Sequence, residues 1–278
     1  MATAVGFAGL GAMGSAMAAN TLAAGFALTV YDLNPEATRE LAAKGAKVAA
    51  SGRELGETCE IVELAVPDDA AVIAAVLGEN GILSGARKGA TIVIHSTIHP
   101  RTAKRVGEEA AAKGVGVLDC QMTGARTGVL ARNLLFMVGG DADVIERCRP
   151  VLAASASNVI HMGPLGMGAV TKVAQQAVTV INLMAAAEGI RLAQKGGVDL
   201  DAFFDVLHLS TAQSSVIDNR MGFPPELGGS RGVGGDPRPF YRGLRAVLAL
   251  AFDLDEPAPA TALAQQTVPW ALGRKTKE

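Results

Sequence analysis

Residues 9–14 read Gly9-Leu10-Gly11-Ala12-Met13-Gly14, a G-x-G-x-x-G spacing. Glycines in that pattern act through the backbone they leave uncovered. The first permits a tight turn, the second lets backbone approach a pyrophosphate, and the third lets a following helix pack closely. The N–H groups that open this helix then face the phosphates, and Leu10, Ala12 and Met13 belong to the same turn. The spacing means little alone; it must follow a strand and open a helix. Asp32 lies 18 residues after Gly14. A carboxylate there can accept hydrogen bonds from the adenosine ribose and repels a 2′-phosphate. No arginine follows it directly, which favours NAD over NADP.

A second group is Lys172 with Gln176. Four residues apart, they share one helix face, whereas Gln175 is turned away by about 100°. A lysine in an apolar helix is costly unless it meets solvent, a partner or a substrate. Desolvation lowers the pKa of such a lysine, which suits proton exchange near neutral pH. From spacing alone, an ion-paired structural lysine fits equally well.

These residues need elements to hold them. Val5–Ala8 reads as a strand, and small residues from Met13 to Ala24 suit a helix packed on a sheet, ended by Gly25. Phe26–Tyr31 is a second strand. Asn34-Pro35 opens a helix to about Lys44, and Ser51-Gly52-Arg53-Glu54 fits a capping box. "IVELAVPDD" (61–69) is a buried strand ending at Pro67, followed by a helix; Val66 and Pro67 are assigned to the cofactor site. "ATIVIHST" (90–97) is another strand, and Pro100 opens a helix to about Lys113. Residues 115–120, 134–140 and 157–163 are further strands, with a helix after Asp141.

Alternation over about 160 residues predicts a doubly wound, mostly parallel sheet. Ala169–Lys195 then reads as one helix, apolar almost all round, which must be buried between domains or between subunits. The later pattern is helical, apart from a Gly/Pro-rich stretch at 222–240 with no assignable conformation. The expected fold is therefore α/β: an N-terminal Rossmann domain (1–164), then a long helix leading into an all-α C-terminal substrate and oligomerisation domain (165–278).

The chain has 278 residues, 49% hydrophobic and 19% charged, with a net charge of −2. The absence of a dense basic stripe excludes nucleic acid as the main partner. Cys59, Cys120 and Cys148 are scattered and odd in number, which points to a reducing cytoplasm rather than a disulfide framework. The first 31 residues carry no charge. A secretory signal would begin with a basic region, and glycines interrupt the apolar run, so neither a signal nor an anchor is expected. Lys172, Gln175, Gln176, Asn182 and Glu188 argue against a membrane span in the long helix. His95 and His99 are four apart, but Pro100 and the lack of a nearby third ligand argue against a metal site.

Four segments, "GFAGLGAMGSAMAANTL", "VELAVPDDAAVIAAVLGENGIL", "HSTIHPRTAKRV" and "GMGAVTKVAQQ", together resemble the β-hydroxyacid dehydrogenase family, which includes the 3-hydroxyisobutyrate dehydrogenases. The resemblance covers about residues 4–200. It implies an NAD-dependent oxidoreductase acting on a small 3-hydroxy or 2-hydroxy carboxylic acid, with Lys172 as general acid/base and Gln176 assisting. It also implies that Ser96 and Thr97 lie beside the nicotinamide and substrate. The family's D-A-P-V-S-G-G segment is similar to Asp119–Ala125, which implies that Thr123, Gly124 and Ala125 meet a substrate carboxylate. Arg126 follows and either pairs with the anion or is a surface charge. Gln176 stands where the family usually has asparagine, similar to the L-threonate dehydrogenase branch. Arg242-Gly243-Leu244 replaces a family Lys-Asp-Leu. A homodimer or homotetramer is expected. An imine reductase-like enzyme shares the architecture but typically lacks a lysine at the position of Lys172. A non-catalytic NAD(H) sensor is the third reading.

Overall fold

The computed structural model describes residues 3–220, 223–229 and 238–272. The chain divides into two units, residues 1–172 and 173–278.

In the first unit, β1 (Ala4–Ala8) runs into the glycine turn and α1 (Gly14–Ala23) leaves it. Gly25 ends that segment with φ of 89°. β2 (Ala27–Tyr31) leads to Asn34, whose side chain accepts from the Glu36 N–H at 3.2 Å. The helix expected from there to Lys44 begins instead as a 3₁₀ turn (Pro35–Thr38) before α2 (Arg39–Ala43). A two-residue strand, β3 (Lys47–Val48), is too short to show alternation in the sequence. The capping box before α3 (Gly52–Thr58) forms with Ser51 Oγ accepting from the Glu54 N–H at 3.2 Å. Glu54 reaches back to the N–H of Ala50 at 2.7 Å. Next come β4 (Ile61–Leu64), α4 (Asp69–Leu77), α5 (Ile82–Gly85), β5 (Thr91–Ile94) and α6 (Pro100–Ala111). The unit continues through β6 (Gly116–Thr123), α7 (Ala125–Leu130), β7 (Leu134–Gly139), α8 (Ala142–Leu152) and β8 (Ala156–Gly163).

The strands form one sheet in the order β3-β2-β1-β4-β5-β6-β7-β8. Neighbours are parallel except β6 and β7, which pair antiparallel. The order reverses between β1 and β4, so the carboxyl ends of those strands border the crevice where doubly wound sheets bind ligands. One face of the sheet buries Phe7, Val30, Phe136 and Ile145; the other buries Leu55, Leu64, Ile92 and Val106. Each such side chain contributes about 1.5–3 kcal/mol on burial.

A polar pair sits within this apolar sheet. His95 Nε2 lies 3.0 Å from Glu63 Oε1, and Nδ1 lies 2.9 Å from the Cys120 carbonyl. Both side chains are almost fully buried. The imidazole stacks on Phe7 and tilts against Phe136. His95 therefore belongs to the core.

The long helix, α9 (Met167–Lys195), begins two residues before the expected Ala169 and is continuous through the boundary between the units. The second unit adds α10 (Leu200–Leu209), α11 (Ser215–Asp218), α12 (Arg238–Asp253) and α13 (Pro259–Ala271). Leu183, Ala187 and Ile190 of α9 share a core with Phe204, Leu244 and Val268. On another stripe of α9, Val178 is 59% and Leu192 74% exposed. Ala174 and Ala185 are exposed on the same stripe. Of the stretch 222–240, Gly222 and residues 230–237 lie outside the described residues; Phe223 and Leu227 are buried in the second unit's core. Among the described residues no helix is long and apolar enough to cross a membrane. The three cysteines are buried thiols.

Candidate active site

The glycine turn lies at the sheet's reversal point. Gly9 has φ of 85°, and a Cβ there would collide with the Ala65 carbonyl and press on Val66. The turn after β1 is thus held against the loop after β4, which brings Val66 beside the glycine turn. A side chain on Gly14 would strike the Gly9 carbonyl, so the start of α1 closes on the turn. Gly11, by contrast, has no neighbouring atom within 4 Å of a Cβ position, and Ala12 beside it is exposed. Leu10 is buried and Met13 packs on the core. The first turn of α1 has no acidic residue to oppose a phosphate.

Asp32 is tied into the same turn. Its Oδ2 accepts from the Leu10 N–H at 2.6 Å and its Oδ1 from the Asn34 N–H at 2.8 Å. Each carboxylate oxygen keeps lone-pair capacity for a ribose hydroxyl. An open backbone concavity, an acid-free helix start and an anchored carboxylate fit a dinucleotide.

Hydrogen bonds tie the next loops together. The Val66 N–H donates to Ser96 Oγ at 2.8 Å, and the His99 N–H donates to Asp69 Oδ1 at 2.9 Å. On the other side of Ser96, Gln121 Nε2 donates to its carbonyl at 2.9 Å. Ser96 is buried and braced from both neighbouring strands, while Thr97 and Pro67 are exposed at the rim.

β6 delivers the remaining groups. Its period of two puts Asp119, Gln121 and Thr123 on one face. Thr123 is half-buried; Gly124 has φ of 129° and Ala125 φ of 54°. Ala125 therefore holds the left-handed region without being glycine, at a cost of roughly 1–2 kcal/mol. The chain enters α7 here, with Arg126 exposed in its first turn.

Asp119 is fully buried, and its oxygens accept from the N–H groups of Gly166 (2.8 Å) and Ala169 (2.6 Å). A side chain on Gly139 or Gly168 would strike Asp119, so the start of α9 sits directly on the sheet. Burial raises the Asp119 pKa, and the backbone N–H groups of Gly166, Ala169 and Gly168 oppose that rise. Lys172 follows in the next turn, and burial alone lowers its pKa. Gln176 lies one turn further, in the second unit, against Gly243 of α12.

Residues 4–163 match the family described as the NAD-binding domain of 6-phosphogluconate dehydrogenase. Residues 166–277 match the NAD-binding family of NADP-dependent 3-hydroxyisobutyrate dehydrogenase. A 3-hydroxyisobutyrate dehydrogenase of Pseudomonas aeruginosa is 34% identical over 95% of this chain and 90% of its own length. The chain belongs to the β-hydroxyacid dehydrogenase family. Its cofactor is NAD. Within the family, an L-threonate dehydrogenase of Haemophilus influenzae is 33% identical over 77% of this chain and 71% of its own length. The structure of the Mycobacterium tuberculosis 3-hydroxyisobutyrate dehydrogenase with L-serine superposes with a TM-score of 0.83. It is 28% identical, covering 96% of this chain and 92% of that one.

The candidate site also contains hydrogen-bonding residues to which the sequence assigns no role. In the sequence Asp119 is marked only by the 115–120 strand and the family-like segment, yet its partners lie 47 and 50 residues away. Gln121 stands where the family has proline, and that departure was its only signal. Asp69 had none beyond its place after Pro67.

Proposed function

We propose that this dehydrogenase interconverts a small 3-hydroxy or 2-hydroxy carboxylic acid and its semialdehyde or keto form, with Lys172 as general acid/base. The reading rests chiefly on Lys172 itself, a lysine with its pKa lowered by burial, just after a helix start anchored by Asp119. When bound, NAD supplies the hydride acceptor or donor. In oxidation, neutral Lys172 Nζ takes the hydroxyl proton as the carbonyl forms; in reduction the same ammonium returns it. Gln176 orients the reacting oxygen. Gly9 to Gly14 hold the pyrophosphate and Asp32 the ribose, while Val66, Pro67, Ser96 and Thr97 flank the nicotinamide. Thr123, Gly124, Ala125 and Arg126 receive the carboxylate, a charge-assisted contact in the case of arginine.

In this reading residues 1–164 form the cofactor domain and 165–278 the long helix and the substrate and oligomerisation domain, in the cytoplasm. A second copy covers the exposed stripe of α9. Gln176 resembles the L-threonate dehydrogenase branch, which puts threonate beside 3-hydroxyisobutyrate among the substrates to test.

The test is NADH and NADPH titration of the purified protein, followed by NAD-dependent turnover of 3-hydroxyisobutyrate, glycerate, threonate and their sulfonated or phosphorylated analogues. Turnover lost in Lys172→Ala with NADH affinity retained supports the assignment. NADH binding without turnover of any acid or imine favours the sensor reading.

A further inference from the structure

Gly243 lies inside α12, where glycine is the least favourable residue short of proline. It is buried and its φ is not in the left-handed region, so no backbone conformation there requires glycine. What a side chain would meet is specific. A Cβ at 243 would lie 3.3 Å from Gln176 Cδ, 3.3 Å from Oε1 and 3.4 Å from Nε2. The three nearest atoms are all from one amide group. Gln176 Oε1 is itself buried and has no hydrogen-bond partner among the described residues. Packing against the bare backbone of α12 is therefore what locates this amide. Leu244, next to Gly243, is buried in the core that includes the α9 residues Leu183 and Ala187.

We infer that Gly243 is a positioning residue for Gln176: the missing side chain at 243 makes room for the longer amide at 176, and the two act as a compensated pair. The inference rests on the proposed role of Gln176 in the reaction. A methyl at 243 requires the amide to shift by a few tenths of an ångström. Its oxygen then leaves the position from which the proposed function has it orient the reacting oxygen. The pair also accounts for two departures from the family pattern together, at Gln176 and in Arg242-Gly243-Leu244.

The experiment is a double-mutant cycle in the full chain, with Gly243→Ala, Gln176→Asn and both. Replacing glycine by alanine in a helix interior ordinarily stabilises the fold, raising the melting midpoint by roughly 2–4 °C. A purely structural glycine would show that rise with unchanged kinetics. Here Gly243→Ala lowers kcat/KM about tenfold, as for small misplacements of reacting groups, leaves NADH affinity within about twofold, and shows no rise in midpoint. In the Gln176→Asn background the shorter amide leaves space. The same methyl then raises the midpoint and costs no further activity. Equal effects of the methyl in both backgrounds overturn the inference. Should Gly243→Ala alone fail to fold, Gln176→Asn against the double variant still decides, because the methyl must be accommodated there. Unchanged turnover in Gln176→Ala would instead remove the catalytic role of Gln176, leaving the midpoint cycle to judge the pair.

Discussion

The Asp119 carboxylate accepts a hydrogen bond from the backbone N–H of Ala169 at 2.6 Å, and Lys172 follows in the next turn of the same helix. The strand thereby sets the height at which the candidate acid/base stands. Asn at 119 would turn an amide donor toward one of two N–H donors. Asp119→Asn is expected to lose about 2 kcal/mol, the cost of an unsatisfied buried group. Urea unfolding measures that loss; initial rates should show kcat falling more than KM changes. A stability loss with unaltered kcat would leave Asp119 a fold residue only.

Asp32 holds the Leu10 N–H, and the proposed function adds the ribose to that task. Asp32→Ser removes the repulsion toward a 2′-phosphate but also slackens the turn. NADH affinity should fall about tenfold, equivalent to about 1.4 kcal/mol. NADPH affinity should rise less than that, narrowing the preference without inverting it. Fluorescence titration with both nucleotides reads this directly, and unchanged NADH affinity would count against the ribose assignment.

Burial holds the Lys172 pKa below the ordinary lysine value of 10.5. The folded chain binds this proton less tightly than the unfolded chain, so more protons are bound in the unfolded state across that window. Stability therefore rises with pH from the lowered value up to 10.5. Lys172→Met lacks this dependence. Its melting midpoint should exceed that of the wild type at neutral pH, with the gap closing toward alkaline pH. The same variant should lose at least about a hundredfold in turnover. A gap that widens on raising the pH would reverse the assignment of the shift.

Val178 and Leu192 are exposed apolar residues on the outer stripe of α9. Val178→Asp places a charge in any interface formed there. The expected result is a shift from a multiple of 28.4 kDa to a single 28.4 kDa chain, read by light scattering at micromolar concentration. An unchanged assembly would locate the interface elsewhere.

Much of this architecture was legible from periodicity and punctuation. The β1 turn, the cap at Asn34, Pro100 opening α6 and Gly25 ending its helix are local signals, read within a few residues of where they act. β3 was missed because two residues carry no period. The switch to a 3₁₀ turn at Pro35 was missed because both helix types begin with the same cap. Lys172 and Gln176 could be paired from spacing, since one helix carries both. The groups that hold them could not: Asp119 reaches α9 across 50 residues, and Gly243 meets Gln176 from another helix. Such partners are set by tertiary packing, to which a one-dimensional pattern is blind.

The Glu63–His95 pair bears on how this chain can change over generations. Deleting one partner of a buried ionic or hydrogen-bonded pair costs about 3–5 kcal/mol, a large share of the 5–15 kcal/mol that keeps a domain folded. Replacing both by fitting apolar residues can cost nothing. Every single-substitution route from the polar pair to an apolar one thus passes through a chain with one stranded group. Descendants of this sequence should keep Glu63 and His95 together or lose them together, so the centre of the sheet works as a historical ratchet although neither residue takes part in the proposed chemistry.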